Sequence, residues 1–359
     1  MSEGIYIKHG QCIRPNIDVS AAKSIVESLY GLKVEKVEEL NAYYDKVYHV
    51  ECRSDYKNPY IECLNPGGYV LKVLNVLDSR NETFIEAQGE VMKFLNEREI
   101  VCPSPVKNLK NAYYSLETLG TSSGEKNLIW LLVYRPGTLL SRVNLTTDLL
   151  YQVGHLAARI DSLLLGFSHL GYSSRRTLWM LTSVPKLQGL TFAISDPERK
   201  RLACEVIERF EKEVLERLDK LAGGIIHGDL NENNILMNKD EKKIAAIIDF
   251  QDSQRSYLIF ELAIAVCHMI HQTRDVSAGR HVIDGYRSVR TLPEFEKSIL
   301  KITVCARFAQ CLITGAYTHL NDPANAYIFE MQKTGWTTFQ ALYSIDGSEV
   351  LRLWGLAPS

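Results

Sequence analysis

Apolar residues follow two different spacings along the chain, and the change between them divides the sequence. Before about residue 134 they mostly form short runs bounded by polar turns, which indicates strands. From about residue 145 they recur at helical spacing. The pattern therefore predicts a small sheet unit over residues 17–134 and a mainly helical unit over residues 135–359, preceded by a loosely attached arm over residues 1–16.

The sheet unit is predicted to open with a helix, for which Asp18 or Ser20 is a suitable N-cap and Gly31 a suitable end. Its further predicted elements are strands Lys33–Leu40, Lys46–Cys52 and Tyr69–Val73, a helix Thr83–Glu97, and strands Ala112–Thr118 and Leu128–Val133. In the helical unit, helices are predicted near 145–164, 197–221, 257–272, 278–289, 293–319 and 324–343.

Two polar turns that follow apolar strand runs carry the residues that indicate chemistry. Residues 227–234 read HGDLNENN after two isoleucines, and Asp249 ends the run AAII. An aspartate, an asparagine five residues later and a second aspartate fifteen residues beyond it match the H-x-D-L-x-x-x-N loop and the metal-binding aspartate of kinases. Asp229 would accept the proton of an attacking hydroxyl, while Asn234 and Asp249 would supply oxygen ligands for Mg²⁺. The alternative is an ordinary turn, since turns favour Asp and Asn anyway.

The loop resembles that of the aminoglycoside phosphotransferase family, which has a kinase-like fold and acts on small molecules. Gly228 stands where protein kinases usually carry Arg, and Gln251 where they carry Gly, which favours a small-molecule kinase. Further stretches that carry the resemblance are Gly31–Val34, His49–Val50, Tyr69–Lys72, Ile85–Gln88, Phe260–Ile264, Arg307–Phe308 with Gln310, and Lys333–Trp336.

The resemblance implies a bilobal protein-kinase-like α+β fold, with a small antiparallel-sheet N-lobe and a mainly helical C-lobe. Within the family, the chain most resembles members that phosphorylate 5-hydroxy-L-lysine in lysine and hydroxylysine catabolism, which implies GTP as donor and Mg²⁺ as cofactor. Another amino alcohol, such as homoserine or choline, is the alternative acceptor, and ATP the alternative donor. A pseudokinase that only binds ligands is the alternative of a different class, but the candidate Asp229, Asn234, Asp249 and Lys72 are all present.

The nucleotide is expected to contact several parts of the sheet unit. Lys72, inside an apolar strand, is the candidate for the phosphates, with Glu86 as its partner and Gln88 or Glu90 as alternatives. In the kinase lobe the loop that includes Tyr44 covers the phosphates, although here it contains no glycine. The backbone near Val133 and Tyr134, just before Pro136-Gly137, would read the purine edge.

The acceptor pocket is expected to include charges that interrupt apolar helices, because a buried charge is costly unless it is paired or faces a cavity. Arg307 is the candidate for a substrate carboxylate, and Glu261 and Asp252 are candidates for its amines. Trp179 and Trp336 are candidate walls for the alkyl chain. Pairing between Glu261 and Arg307, a capping role for Asp252 and core packing of the tryptophans are the structural alternatives. His227 is expected to brace the loop.

Composition and sequence patterns limit the possible partners and the cellular location of the protein. A net charge of −2 gives no overall case for binding nucleic acid or a membrane surface. The eight cysteines form no C-x-x-C pair, which indicates reduced thiols in an intracellular protein. No apolar run reaches the roughly 18 residues that a membrane span needs. The N-terminus is a poor secretory or transit signal, so the cytoplasm is the expected location.

Overall fold

The computed structural model describes residues 13–119, 124–173, 175–321, 323 and 330–357. The described chain divides into two compact units. The sheet unit contains the described residues up to Glu97 together with Val101–Pro136, and the helical unit contains Arg98–Ile100 and the described residues from Gly137 onward. The predicted N-terminal arm lies partly outside the described residues, since these begin at residue 13.

The sheet unit is built on an antiparallel sheet, as the sequence predicts. The elements of this unit are α1 (Val19–Tyr30), β1 (Val34–Leu40), β2 (Lys46–Cys52), β3 (Tyr69–Val73), α2 (Glu82–Asn96), β4 (Pro105–Val106), β5 (Tyr114–Glu117) and β6 (Asn127–Val133). The strands are ordered β1-β2-β3-β6-β4, and β5 also pairs with β6.

Capping sets the ends of α1 where the sequence predicts them. The side chain of Asp18 accepts a hydrogen bond from the amide of Ala21, and Gly31 ends the helix in the left-handed conformation at φ 62°. The expectation of a loosely attached arm is wrong for residues 13–16. Ile13 is buried, and the Arg14 guanidinium donates to the backbone carbonyl of Asp45 at 3.2 Å.

The helical unit contains the segments that carry the candidate chemistry. Its elements are β7 (Thr138–Leu139), α3 (Thr147–Leu164), α4 (Pro197–Glu213), β8 (Gly223–Ile226), β9 (Ile235–Met237), β10 (Ile244–Ile247), β11 (Gln254–Tyr257), α5 (Leu258–Thr273), α6 (Gly279–Arg287), α7 (Glu294–Asn321), α8 (Glu330–Ser344) and α9 (Gly347–Leu353). The first part of the predicted 324–343 helix, residues 324–329, lies outside the described residues.

Short strand pairs in this unit hold the two polar turns. β8 pairs antiparallel with β11, and β9 pairs antiparallel with both β10 and β7. The loop 227–234 therefore runs from the end of β8 to the start of β9, and Asp249 follows two residues after β10 ends at Ile247. Strand pairing therefore holds both ends of each polar turn, which limits how far the polar residues in the turn can move.

Helices α5 and α7 form the buried centre of the unit. Almost every residue of α5 is buried, which explains its continuous apolar sequence. By length and composition α7 would suffice to cross a membrane, contrary to the expectation from apolar runs, but 89% of its most apolar window is buried inside the protein. Burial of that extent is typical of a core helix, and Arg307 is one of the charged residues that it carries inward.

Candidate active site

The loop between β8 and β9 turns sharply at Gly228, which has φ +79°. A Cβ at this position would lie 2.4 Å from the backbone carbonyl oxygen of Asp252 and 2.8 Å from the side-chain amide of Gln254. Only glycine fits, because the conformation is left-handed and the neighbouring backbone leaves no room. The residue that departs from the protein-kinase pattern is therefore required by the local packing.

His227 braces the loop, in agreement with the sequence prediction. Its Nε2 lies 3.1 Å from the carbonyl oxygen of Ile248, and its Nδ1 accepts the amide of Asp229 at 3.3 Å. A carbonyl cannot donate, so Nε2 carries the proton and Nδ1 is the acceptor. The neutral imidazole thus connects the Asp229 loop to the segment that leads to Asp249.

The carboxylate of Asp229 is held from two sides. The Arg307 guanidinium donates to Oδ1 at 2.7 Å, and the Asn234 amide nitrogen donates to Oδ2 at 2.8 Å and to the Asp229 carbonyl at 2.9 Å. The side chain of Asp229 retains 21% exposure, whereas that of Arg307 retains 2%. The carboxylate of Asp229 is therefore held in one orientation by Arg307 and Asn234, while part of its surface remains exposed.

Asn234 and Asp249 are brought together by the β9–β10 ladder. Ile247 pairs with Ile235, and the amide of Ile248 donates to the carbonyl of Asn234 at 2.9 Å. Asp249 then adopts φ +63°, a left-handed conformation that aspartate tolerates better than most residues. Because the amide nitrogen of Asn234 donates to Asp229, its side-chain oxygen is the atom that could bind a metal. Carboxylate and amide oxygens are the ligands that Mg²⁺ prefers, so these residues fit the metal.

Asp252 lies in the same acidic region and does not cap α5, since α5 has no side-chain cap. Burial, and then the nearby carboxylate of Asp229, raises the pKa of Asp252 to about 7. Asp249 acts in the same direction, whereas Arg175 and Arg307 lower the pKa. Asp229, Asp249 and Asp252 thus lie in one region together with two arginines.

Arg307 reaches this region from α7 and is positioned by several groups. Gln310 accepts from one guanidinium nitrogen at 2.9 Å, and its own amide donates to the carbonyls of Leu178 and Met180 at 2.6 and 3.1 Å. The ring of Trp179 lies 5.4 Å from the guanidinium carbon, a cation–π distance. Within the part of the chain that the structure describes, the Nε of Arg307 is buried and lacks a hydrogen-bond partner.

Glu261 does not contact an acceptor, contrary to the prediction. Its side chain is fully buried, and its carboxylate accepts the amide of Gly228 at 3.0 Å. A carboxylate with no exposed surface cannot meet a substrate ammonium. Its place beneath the loop makes it a support for the turn at Gly228.

The buried Glu261 carboxyl should make stability depend on pH. Burial raises its pKa from 4.5 to about 7, so between these values the folded protein binds more protons than the unfolded chain. The contribution of this group to stability should therefore fall as pH rises from 4.5 to about 7. Glu261→Gln keeps an acceptor for Gly228 but cannot titrate, so relative to wild type it should gain stability with rising pH. Denaturant unfolding at several pH values, with the exposed Glu208→Gln as control, measures this; the opposite trend would contradict it.

A buried pair that the sequence did not reveal ties the loop to α5. His268 Nδ1 lies 3.2 Å from Glu232 Oε2, and both side chains are nearly inaccessible. Burial lowers the pKa of His268, but the neighbouring Cys311 and Glu232 outweigh burial and raise the pKa to about 10. Glu232 belongs to the loop, and His268 lies 36 residues later, a separation that no local pattern could connect.

Trp336 belongs to the core packing rather than to a substrate wall, which corrects the prediction. Its ring packs at 6.0 Å from that of Phe339, its Nε1 donates to Gln332 at 3.2 Å, and the guanidinium carbon of Arg199 lies 5.6 Å from its ring. Trp179, which is half-buried beside Arg307, remains the candidate wall.

In the sheet unit, Lys72 is half-buried on β3, opposite Val47 and Trp130 in the ladder. Burial raises the pKa of Asp45 to about 6, and the positive charge of Lys72 opposes this increase. Asp45 is almost inaccessible and accepts the backbone and side-chain amides of Asn75 at 2.8 and 2.9 Å. A carboxylate from the loop before β2 thus lies near the lysine, which the sequence did not suggest.

Glu86 is not the partner of Lys72. It lies on the exposed face of α2, where its carboxylate accepts the hydroxyl of Tyr114 at 3.1 Å. Of the two alternatives, Gln88 lies on the buried face, and its amide nitrogen has no partner among the described residues, whereas Glu90 is exposed. The error is one of helical phase, because residues two positions apart point in different directions.

The backbone amides of Val133 and Tyr134 cannot donate to a purine. Val133 donates to the carbonyl of Ser104 at 2.8 Å, and Tyr134 to that of Gly68 at 3.2 Å. The Tyr134 ring is tilted against His49 at 4.1 Å, so this residue helps to hold the turn before β3. Tyr44 lies in the loop before β2, with its ring edge-on to Tyr43 at 4.7 Å.

The two units and the arrangement of the Asp229 loop define a kinase-like fold. Among solved structures, the chain is similar to a microcompartment-associated aminopropanol kinase, with 17% identity, a TM-score of 0.69, and coverage of 94% of this chain and 100% of the other. It is also similar to the amicoumacin kinase hAmiN in complex with AMP-PNP, Ca²⁺ and Ami, with 15% identity, a TM-score of 0.67, and coverage of 93% and 97%. At these identities the similarity concerns the fold.

Sequence comparison gives the family. Residues 52–296 match the model of the phosphotransferase enzyme family, APH, and the chain belongs to that family. The hydroxylysine kinase of Xenopus laevis is 33% identical over 99% of this chain and 97% of its own length. The chain is therefore a small-molecule kinase that phosphorylates an alcohol group.

Proposed function

We propose that this kinase transfers the γ-phosphoryl group of a Mg²⁺-bound nucleoside triphosphate to the hydroxyl of 5-hydroxy-L-lysine. The observation that carries the proposal is the carboxylate of Asp229, which Arg307 and Asn234 hold by hydrogen bonds while it remains partly exposed. Backbone pairing also brings the segments of Asn234 and Asp249 together. The similarity to hydroxylysine kinases over nearly the full length favours this acceptor over homoserine or choline. The reaction would belong to hydroxylysine breakdown.

Asp229 is the proposed base. Oriented by Arg307 and Asn234, its carboxylate would accept the hydroxyl proton as the acceptor oxygen bonds to the γ-phosphorus. The bond between the γ-phosphorus and the bridging oxygen breaks, and the nucleoside diphosphate leaves. The fully buried Glu261 and the neutral His227 support the loop without exchanging this proton.

Asn234 and Asp249 are the proposed Mg²⁺ ligands. When bound, the ion would neutralise charge on the phosphate oxygens as the phosphoryl group moves. Lys72 is the proposed contact for the nucleotide phosphates, with Asp45 in place of Glu86 as its acidic neighbour. Tyr44, in the loop that precedes Asp45, remains a proposed cover for the phosphates. We propose GTP as the donor from the resemblance to the hydroxylysine-phosphorylating members.

Arg307 is the proposed anchor for the α-carboxylate of the acceptor. Its guanidinium donates to the partly exposed carboxylate of Asp229, so an acceptor whose hydroxyl binds at Asp229 would bring a carboxylate close to the same cation. Trp179, stacked against the same guanidinium, would cover the alkyl chain.

The cysteines that the structure describes are all free thiols, which supports a cytoplasmic location.

The test is nucleotide turnover by the purified chain with a panel of acceptors. Hydroxylysine, homoserine, choline and 1-amino-2-propanol are compared by kcat/KM, each with GTP and with ATP. We expect hydroxylysine with GTP to give the highest value. A clear preference for another acceptor would overturn the proposed substrate, and binding of nucleotide without turnover of any acceptor would favour a pseudokinase.

Replacing Asp249 should lower the affinity of the enzyme for Mg²⁺. Asp249→Ala removes a charged ligand, so the Mg²⁺ concentration for half-maximal activity should rise by about tenfold or more. Activity titrated against Mg²⁺ measures the effect, with the exposed Asp240→Asn as control. An unaltered Mg²⁺ requirement would mean that the ligand lies elsewhere, with Asp252 as the next candidate.

A further inference from the structure

Asp252 is held one residue away from the proposed base by the β8–β11 ladder. Gln254 pairs with Ile226, so continuing the ladder sets Asp252 opposite Gly228. The backbones of Gly228 and Asp252 lie close together, since a Cβ on Gly228 would be 2.4 Å from the Asp252 carbonyl oxygen. The two strands thus deliver Asp229 and Asp252 to the same end of the ladder.

The Asp252 carboxylate is poorly compensated. The nearest cation among the described residues is Arg175, at 3.9 Å, and its guanidinium donates to the Gln251 carbonyl at 2.6 Å. Arg307 also acts on Asp252, but its guanidinium donates to Asp229. The Asp252 side chain keeps 22% exposure, similar to the 21% of Asp229. This partly exposed carboxylate lies among other carboxylates and accepts no hydrogen bond from the described part of the chain, which favours binding of a cation from outside.

The chemistry of the proposed acceptor supplies such a cation. In 5-hydroxylysine the ε-ammonium is on the carbon next to the one that bears the reacting hydroxyl. By standard bond lengths the nitrogen and the oxygen lie about 3–4 Å apart. A hydroxyl at Asp229 therefore brings the ammonium to an adjacent group, whichever way the remaining chain runs. Glu261 is excluded by burial, and Asp249 is assigned to the metal.

We propose that Asp252 binds the ammonium group adjacent to the reacting hydroxyl, so that the enzyme selects vicinal amino alcohols. The proposal rests on the proposed function and deepens it, because it assigns acceptor selectivity to a second carboxylate next to the base. Arg175 is then a positioning residue. By holding the Gln251 carbonyl, it fixes the turn that presents Asp252.

The experiment compares two acceptors that differ only in this ammonium. These are 5-hydroxylysine and 2-amino-5-hydroxyhexanoate, which keeps the hydroxyl, the α-amine and the carboxylate. Wild type should prefer hydroxylysine in kcat/KM. In Asp252→Asn the preference should fall by about 10- to 100-fold, the factor expected when a hydrogen bond to a charged group is lost. Asp240→Asn, an exposed change between β9 and β10, should keep the preference.

Other outcomes overturn the inference. An unchanged preference in a folded Asp252→Asn protein, or equal losses on both acceptors with a raised Mg²⁺ requirement, would make Asp252 a structural or metal-binding residue. Thermal unfolding checks folding, and Asp252→Glu, which keeps the charge, should retain part of the preference. If wild type does not phosphorylate hydroxylysine, the proposed function fails separately. The same ratio is then measured between 1-amino-2-propanol and 2-butanol, and an unchanged ratio in Asp252→Asn again overturns the role of Asp252.

Discussion

Replacing Asp229 with asparagine is expected to lower kcat by roughly 10²- to 10⁴-fold, the range typical of removing a general base. An amide cannot accept the hydroxyl proton at neutral pH, but it has nearly the same shape. Its oxygen can still accept a hydrogen bond from Asn234, which now donates to Oδ2 at 2.8 Å. Steady-state kinetics with the preferred acceptor measures the loss, and nucleotide affinity should change little.

Two controls separate chemistry from folding. Asp240→Asn makes the same substitution at an exposed position and should leave kcat unchanged. Thermal unfolding of Asp229→Asn reports whether the loop survives, since Arg307 would lose the charge of its partner. Near-wild-type turnover by a folded Asp229→Asn protein would show that another group accepts the proton.

The turns that carry the candidate chemistry could be predicted from the sequence because each is local. An apolar strand, a short polar turn and a return to apolar residues specify the loop of Asp229 and Asn234. Gly228 also gave a usable signal, since glycine inside a polar turn often marks a positive φ, here +79°. The capping residues Asp18 and Gly31 were predictable for the same reason, as their effects extend over only a few residues.

The partners of these residues could not be predicted, because they come from distant elements. Arg307 lies 78 residues from Asp229, and its helix is so apolar that the sequence revealed a buried charge without identifying its partner. Glu261 gave the same signal but supports the loop from below. Burial alone does not distinguish a group that faces a pocket from one that faces a backbone amide.

Helical phase and sheet pairing explain the errors in the sheet unit. Glu86 and Gln88 differ by two positions on α2, enough to exchange the exposed face for the buried one. The amides of Val133 and Tyr134 are consumed by neighbouring segments, which a single-strand pattern cannot show. The role of Asp45 could not be predicted, because aspartate before a strand is usually an exposed turn residue, whereas here it is buried near Lys72.

Arg307 has two expected roles, orienting Asp229 and binding the acceptor, and replacing it with methionine should affect both. It already binds Asp229, and its Nε has no partner among the described residues. Arg307→Met should therefore lower kcat/KM for every acceptor, because the base loses its orientation. Removing one partner of a buried charge pair costs about 2–5 kcal/mol, which is roughly 30- to 5000-fold.

An acceptor that carries a carboxylate should lose more. Comparing 5-hydroxylysine with 1,5-diaminopentan-2-ol, which lacks only the carboxylate, separates the two effects. If Arg307 also binds the carboxylate, the ratio of kcat/KM between them should fall by about tenfold or more in Arg307→Met, as loss of a charge-assisted hydrogen bond implies. Arg201→Met, a highly exposed change on α4, should alter neither value. Equal losses on both acceptors would mean that Arg307 acts only through Asp229. The carboxylate would then need another cation, and Arg175, 3.9 Å from Asp252, is the next to be tested by the same ratio.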